Sequence, residues 1–265
     1  GLVIDLSYMN DVQIDVKNKT ASVQGGAQLG DLDRKALPFG LGTTAGVVSH
    51  TGVGGLTLGG GMGRLQRRFG LAIDNVLGVE LVTAEGKVVT ANAKENPDLY
   101  WGVRGGGGNF GIVTKFLFRL HTMDPMVINF GFSFPMDVAK DALKLYFDFS
   151  TGADKDLFLL GGISMREDGA GGVSIGGNYF GPQRNVDRAL QPLRDFGKAT
   201  RDSVFPIEYV KIQQVADDGF NAPGNRHYAK GGFLREVNDD LITTLIERIE
   251  PLASRRFSVG LLPMD

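Results

Sequence analysis

An α+β fold follows from two textures and one excess in the sequence. The first half alternates short β-type runs with turns, whereas the second interleaves runs of helical period with strands. The excess is glycine, 39 of 265 residues, about twice the usual ~7% share. It is clustered, which marks backbone that approaches something closely.

The elements can be justified in order. Val12 to Val16 alternates, Asn18 and Lys19 make a turn, and Thr20 to Gln24 returns, giving a hairpin. Leu29 to Leu37 carries apolar residues at helical spacing and meets Pro38, which ends it. Gly40 to Gly63 shows no regular period. A second hairpin runs from Gly78 to Thr83, through Ala84, Glu85 and Gly86, and back along Lys87 to Thr90. Pro97 to Trp101 reads as a short helix, since proline suits a first helical position. Ile112 to Leu120 reads as a strand.

Near Asp124 and Pro125 the texture changes, which places a domain boundary at about residues 121–126. Beyond it, Asp137 to Phe149, Asn185 to Phe196 and Asp239 to Ile249 have helical spacing. Strands are expected at Leu157 to Met165, Val173 to Tyr179 and Phe205 to Val210. The first two, joined by the polar turn Arg166 to Gly172, should pair antiparallel. Both ends read as the interior of a longer protein. Gly1 leads into the alternating run Leu2 to Leu6, and the strand pattern Phe257 to Leu262 stops at Pro263.

Composition removes whole classes of chemistry. The chain has no cysteine, so disulfides, thiolate catalysis and Cys-ligated zinc or iron–sulfur clusters are excluded. Three dispersed histidines, His50, His121 and His227, argue against a multi-histidine metal site. A net charge of −2 supplies no basic patch for nucleic acid or a membrane surface. No apolar run approaches the ~18 residues of a membrane span. No signal-peptide pattern is visible, which favours a cytoplasmic location.

Three glycine-rich segments carry the functional signal: residues 25–30, residues 46–63 and residues 104–111. Successive amides without Cβ atoms can form a concave anion-binding nest, and three such segments within about 90 residues favour a phosphate-bearing ligand over mere tight turns. The named nucleotide motifs fail individually. There is no P-loop, and the G-x-G-x-x-G of residues 106–111 runs into a strand with no acidic residue about 20 positions on. No G-x-S-x-G occurs, so a serine triad has no support. The acidic pairs Asp217-Asp218 and Asp239-Asp240 read as helix-start or solvated surface charges. Tyr179 and Tyr228 are aromatic candidates for which packing is the favoured reading.

The runs GLVIDLS (1–7), ASVQGGA (21–27), TGVGGLTLGGGMG (51–63), FGLAIDN (69–75), ENPDLYW (95–101) and RGGGGNFGIVT (104–114) resemble the FAD-linked oxidases of the berberine-bridge-enzyme-like group. That group belongs to the vanillyl-alcohol oxidase/p-cresol methylhydroxylase superfamily. The resemblance is dense over residues 1–122 and general beyond about 125. It implies that residues 1–122 are part of a PCMH-type FAD-binding domain, its second subdomain. Residues 123–265 would be an incomplete substrate-binding domain of antiparallel sheet with flanking helices. The implied cofactor is FAD, held largely by main chain, with a small-molecule substrate and no metal. By position, Thr44, Gly46, Val47, Val48, His50, Thr51, Gly52, Gly54 and Gly55 would wrap the pyrophosphate and the flavin edge. Gly59, Gly60 and Gly63 would complete that loop, and Ile112 would touch the cofactor through its backbone. The implied reaction is hydride transfer from an alcohol, sugar or amine carbon to flavin N5, with reoxidation often by oxygen.

Departures from the family pattern qualify this. The histidine to which members usually attach flavin would lie upstream of Gly1. The cysteine that gives some members a second link aligns with Val48, so a bicovalent bond is excluded. Arg64 stands where an aromatic residue is common. The closing C-terminal segment would lie downstream, so no catalytic residue is assigned and the 265 residues alone are expected to hold FAD weakly. A non-catalytic scaffold on the same fold and an NADPH-dependent FAD reductase of the superfamily are the competing readings.

Overall fold

The structure is a computed structural model and describes residues 1–165, 170–217, 228–234, 236–249 and 257–263. It divides into two compact units: Gly1–Met126 with 208–217, and Val127–Ile207 with the described residues from 228 onward.

In the first unit the expected hairpins form: β1 (Val12–Asp15) with β2 (Thr20–Gln24), and β4 (Val76–Val82) with β5 (Val88–Asn92). β6 (Ile112–Arg119) joins them into an antiparallel sheet of order β1-β2-β6-β4-β5. Its inward residues, Val113, Phe116 and Phe118, break strict alternation because a register shift lies between Glu80 and Leu81 on β4. α1 (Leu29–Ala36) lays Leu29, Leu32 and Ala36 into the same core as Val12, Ala21 and Val23. Pro38 does end this helix, although a 3₁₀ turn at Leu37–Phe39 follows before the chain reverses at Gly40, φ 64°. β3 (Leu41–Gly42) pairs with β7 (His121–Thr122).

Three expectations need correction here. Leu2 to Leu6 alternates but takes no partner strand among the described residues; Leu2 and Val3 are exposed, and an apolar alternation without a partner does not make a strand. Within the stretch that shows no period, α2 (Val53–Leu58) and, just after it, α3 (Gln66–Phe69) are helical. α4 (Pro97–Val103) starts at its proline as expected and runs two residues longer.

The second unit is a sheet under helices, its strands in the order β11 (Arg201–Glu208), β8 (Met126–Pro135), β10 (Gly171–Tyr179), β9 (Leu157–Met165) and β12 (Phe257–Leu261). β9 (Leu157–Met165) and β10 (Gly171–Tyr179) pair antiparallel as expected; residues 166–169 of their turn lie outside the described residues. β8 (Met126–Pro135) is a strand the sequence reading omitted, although Phe130, Phe132 and Phe134 give the period of two and all face the core. α5 (Ala139–Thr151), α6 (Val186–Asp195) and α8 (Asp239–Ile249) cover that core with Leu143, Tyr146, Leu190, Leu193, Ile242 and Ile249. The Tyr146 ring fills the space over Gly161, and its hydroxyl donates to the Leu261 carbonyl at 2.9 Å on β12 (Phe257–Leu261). β11 (Arg201–Glu208) begins earlier than expected, and Tyr209 and Val210 turn instead into α7 (Tyr209–Gln214). Tyr179 is buried in the core, as packing required, whereas Tyr228 is exposed.

Candidate cofactor-binding site

The glycine loop is built around the start of α1. The Leu29 amide donates to the Thr51 carbonyl (2.9 Å), the Gly30 amide to that of Ser49 (2.8 Å), and the Val53 amide to that of Ala27 (2.8 Å). Residues 25–30 and 46–55 are therefore one stitched structure. The Gly25 amide extends it to the Thr114 carbonyl on β6, two residues past Ile112. The 3₁₀ turn Gly107–Phe110 packs beside α2, which brings in the third glycine segment.

The glycines divide by what a Cβ would meet. Gly46 (φ 50°) is pressed against Leu29 and Leu56, and a Cβ on Gly63 would lie 2.8 Å from the Gly46 nitrogen. A Cβ on Gly54 would lie 2.9 Å from the Gly25 carbonyl oxygen. These three allow close chain packing. At Gly52, Gly55 and Gly60, in contrast, a Cβ would meet no atom within 4 Å, so the backbone there borders open space. Gly59 has only ordinary contacts. The carbonyls of Gly60 and Gly61 accept from the Ile73 and Ala72 amides, which anchors that end of the segment. Thr44 is fully buried and donates to the Gly70 carbonyl (2.7 Å); Val48 is buried, Val47 and Ile112 half-buried. The adjacent Thr43 hydroxyl is buried with no hydrogen-bond partner among the described residues.

Beneath the loop lies a buried polar network that includes residues from far along the chain. Gln213 of α7 donates to the carbonyls of Ala45 (3.1 Å) and Gly46 (3.4 Å) and to Asp33 Oδ2 of α1 (3.3 Å). It accepts from Arg64 Nε (2.9 Å), whose guanidinium also reaches the Ile212 carbonyl (3.2 Å). Burial pushes the Asp33 carboxyl up to about 7, against the Gln213 amide and the Arg34 guanidinium that pull it down. Burial likewise lowers the Arg64 guanidinium from its ordinary value, and burial beside Asp33 holds the Tyr209 hydroxyl well above its own.

A second tie reaches the loop from Asp217. Its two oxygens accept from the Ser49 amide (2.9 Å) and the Ser49 hydroxyl (2.6 Å), and Oδ1 lies 3.5 Å from His50 Nδ1. Burial pushes this carboxyl up, but the Ser49 hydroxyl and amide, with His50, hold it below the ordinary carboxylate range. His121 is a structural histidine, stacked on Phe69 and bonded to Asn75 Oδ1 at 2.6 Å. His227 and Asp218 lie outside the described residues.

At Gly52, Gly55 and Gly60 the main chain has no neighbour where a side chain would stand, so it is open to close approach. Residues 1–92 match the FAD binding domain family. An FAD-linked oxidoreductase of Dictyostelium discoideum is 34% identical over 249 residues, 93% of this chain and 54% of its own length. A xylooligosaccharide oxidase of Thermothelomyces thermophilus is 32% identical over 274 residues, 100% of this chain and 50% of its own length. Among solved structures, 6-hydroxy-D-nicotine oxidase from Arthrobacter nicotinovorans superposes with a TM-score of 0.76 at 30% identity, over 86% of this chain and 50% of that one. Berberine bridge enzyme superposes at 0.71 and 27% identity, over 80% and 43%. Residues 1–92 are thus an FAD binding domain, in a chain similar to berberine-bridge-enzyme-like FAD-linked oxidoreductases. That family is one of enzymes, and FAD is its cofactor.

The chain spans about half the length of the relatives it matches. The sequence shows the glycine loop but not what holds it. Asp217 and Gln213 show no motif, and only a contact 168 positions away gives either one a role at the loop. Asp217, read from the sequence as a solvated or helix-start charge, is instead bonded to Ser49 and faces His50.

Proposed function

We propose that the first unit binds FAD and that the second presents the substrate, in an oxidoreductase acting on an alcohol, sugar or amine carbon. The observation that carries this reading is main chain free of neighbours at Gly52, Gly55 and Gly60, in a segment stitched to α1 and bordered by the turn Gly107–Phe110. Thr44 and residues 46–55 would hold the pyrophosphate and the flavin edge, Gly59, Gly60 and Gly63 would close the loop, and Ile112 would contact the cofactor by backbone. Bound FAD supplies a hydride acceptor at N5 and passes the electrons on, to oxygen in this reading.

The chain's own residues bind, orient and exclude. Small residues let main-chain groups approach the cofactor, while the Gln213 network keeps the Ala45 and Gly46 carbonyls turned inward and dry. In the second unit, the sheet face opposite the aromatic core carries a groove of about 330 Å³ lined in part by Asn129, Ser133, Ser174, Arg201, Ser203 and Phe205. Such hydroxyl, amide and guanidinium groups beside an aromatic ring suit a substrate bearing hydroxyls.

The test is the absorbance spectrum of the purified full-length protein, before and after acid precipitation. Flavin bands are expected, and anaerobic addition of an oxidisable sugar, alcohol or amine should bleach them. Bands that stay with the precipitate indicate a covalent flavin. Bands released to the supernatant, together with rapid bleaching by NADPH, would transfer the protein to the reductase branch. A protein without flavin bands, unable to take up added FAD, would sink the reading.

A further inference from the structure

Two side chains from one short stretch grip the glycine loop on either side of Val47 and Val48. Gln213 holds the Ala45 and Gly46 carbonyls, and Asp217 holds the Ser49 amide and hydroxyl and faces the His50 ring. None of residues 45–50 belongs to a helix or strand, so no regular ladder fixes these groups. Backbone bonds from Gly30 and Thr51 fix the Ser49 and Val48 carbonyls, and the groups they leave over are held by such side chains. The Asp217 carboxylate is suited to this: both oxygens are used by one residue, a fork that a single amide oxygen cannot reproduce.

We propose that Asp217 is a positioning residue for the cofactor loop, holding Ser49 and His50 in the conformation that receives FAD while Gln213 fixes the loop's other end. The inference rests on the FAD reading given above. Ordering a free backbone costs conformational entropy at every residue. With the clamp in place that ordering is completed during folding rather than at binding, which favours affinity. Asp217 touches neither the substrate nor the reacting atoms in this proposal; it acts through the loop.

The experiment titrates FAD into flavin-free full-length protein, wild type and the variants Asp217→Ala, Asp217→Asn and Ser49→Ala. It records the dissociation constant, the bound flavin's visible spectrum, and the melting temperature with and without FAD. Asp217→Ala is expected to weaken FAD about tenfold, and Asp217→Asn and Ser49→Ala about threefold, each losing one of the two bonds to a charged acceptor. The bound flavin's band shape should change, and the FAD-induced rise in melting temperature should shrink. The flavin-free melting temperature should fall by no more than about 3 °C. Ser49→Ala removes one hydroxyl and keeps the clamp testable if Asp217→Ala misfolds. A lowered melting temperature with wild-type affinity and spectrum in all variants would show a purely structural aspartate and overturn the proposal. Failure of the wild type to bind FAD is a separate result, one that overturns the cofactor reading and removes the inference with it.

Discussion

The two units differ most in what they bury. Among the described residues, eight of the ten buried polar side chains lie in the first unit, including Asp33, Arg64, Asn75 and Gln213; the second has Ser150 and Asn178. The second unit buries Phe130, Phe132, Phe134, Tyr146 and Tyr179 beneath regular helices, and its sheet satisfies its own backbone. The first unit must hold an irregular loop in which only some carbonyls and amides find backbone partners, such as Ser49 and Thr51 with the start of α1. Buried side chains supply others, as Gln213 does for the Ala45 and Gly46 carbonyls. Polar burial thus follows irregular backbone, which under the proposed function serves close approach to a ligand.

The largest way to test this contrast is to damage the dry core. Phe132 is 1% exposed, and Phe132→Ala should cost about 3–5 kcal/mol through lost transfer energy and a residual cavity. Urea unfolding reports the loss, and FAD titration should show unchanged affinity. A weakened affinity would mean that the second unit's core governs the loop, which the contrast denies.

Next in size is the wet core. Gln213→Leu removes the acceptor for Arg64 Nε and the donors to Asp33, Ala45 and Gly46 in one change. Buried groups stripped of partners in this way should cost about 2–4 kcal/mol. Amide exchange at residues 45–50 should accelerate more than exchange in β6, because the loop loses its brace while the sheet keeps its own bonds. Equal acceleration would make the network a general stabiliser rather than a loop holder.

What could be read from the sequence follows the same line. The hairpins at 12–24 and 76–92 and the helices at 139–151 and 239–249 were legible because each is decided by local period and turn residues. β8 was legible in principle, from Phe130, Phe132 and Phe134, though Gly131 and Ser133 between them diluted the signal. α2 was hidden because Gly54 and Gly55 are poor helix formers, and tertiary bonds such as Val53 to Ala27 overrule propensity there. The loop announced itself by its glycines. Its supports, Gln213 and Asp217, could not, since they act on partners 167 or 168 positions away.

A pH series isolates one member of the wet core. Asp33 has its carboxyl raised from 3.8 to about 7 in the folded chain, so the native state binds this proton more tightly than the unfolded state. Its contribution is fully present below about pH 4 and is lost as pH rises through about 7. Each unit of the rise is worth about 1.4 kcal/mol. An overall loss on the order of 2 kcal/mol is expected once the site relaxes around the charging group. Asp33→Asn should flatten that decline, so the stability difference between variant and wild type grows in the variant's favour from pH 5 to pH 8. A difference that is constant with pH would mean that Asp33 titrates normally.

The smallest effect is the most discriminating because two readouts move in opposite directions. Gly55 lies within α2, and a Cβ there meets no atom within 4 Å. In a folded helix with room to spare, Gly55→Ala should raise stability by about 0.5–1 kcal/mol, since glycine loses more backbone freedom on folding. If the open space beside Gly55 is where a ligand's surface approaches the main chain, the added methyl stands in its way and FAD affinity should fall. Thermal unfolding without FAD and FAD titration measure the two separately. Stability and affinity rising together would leave the space beside α2 as solvent, and the cradle would have to be sought at Gly107 and Gly108, where a Cβ likewise meets nothing.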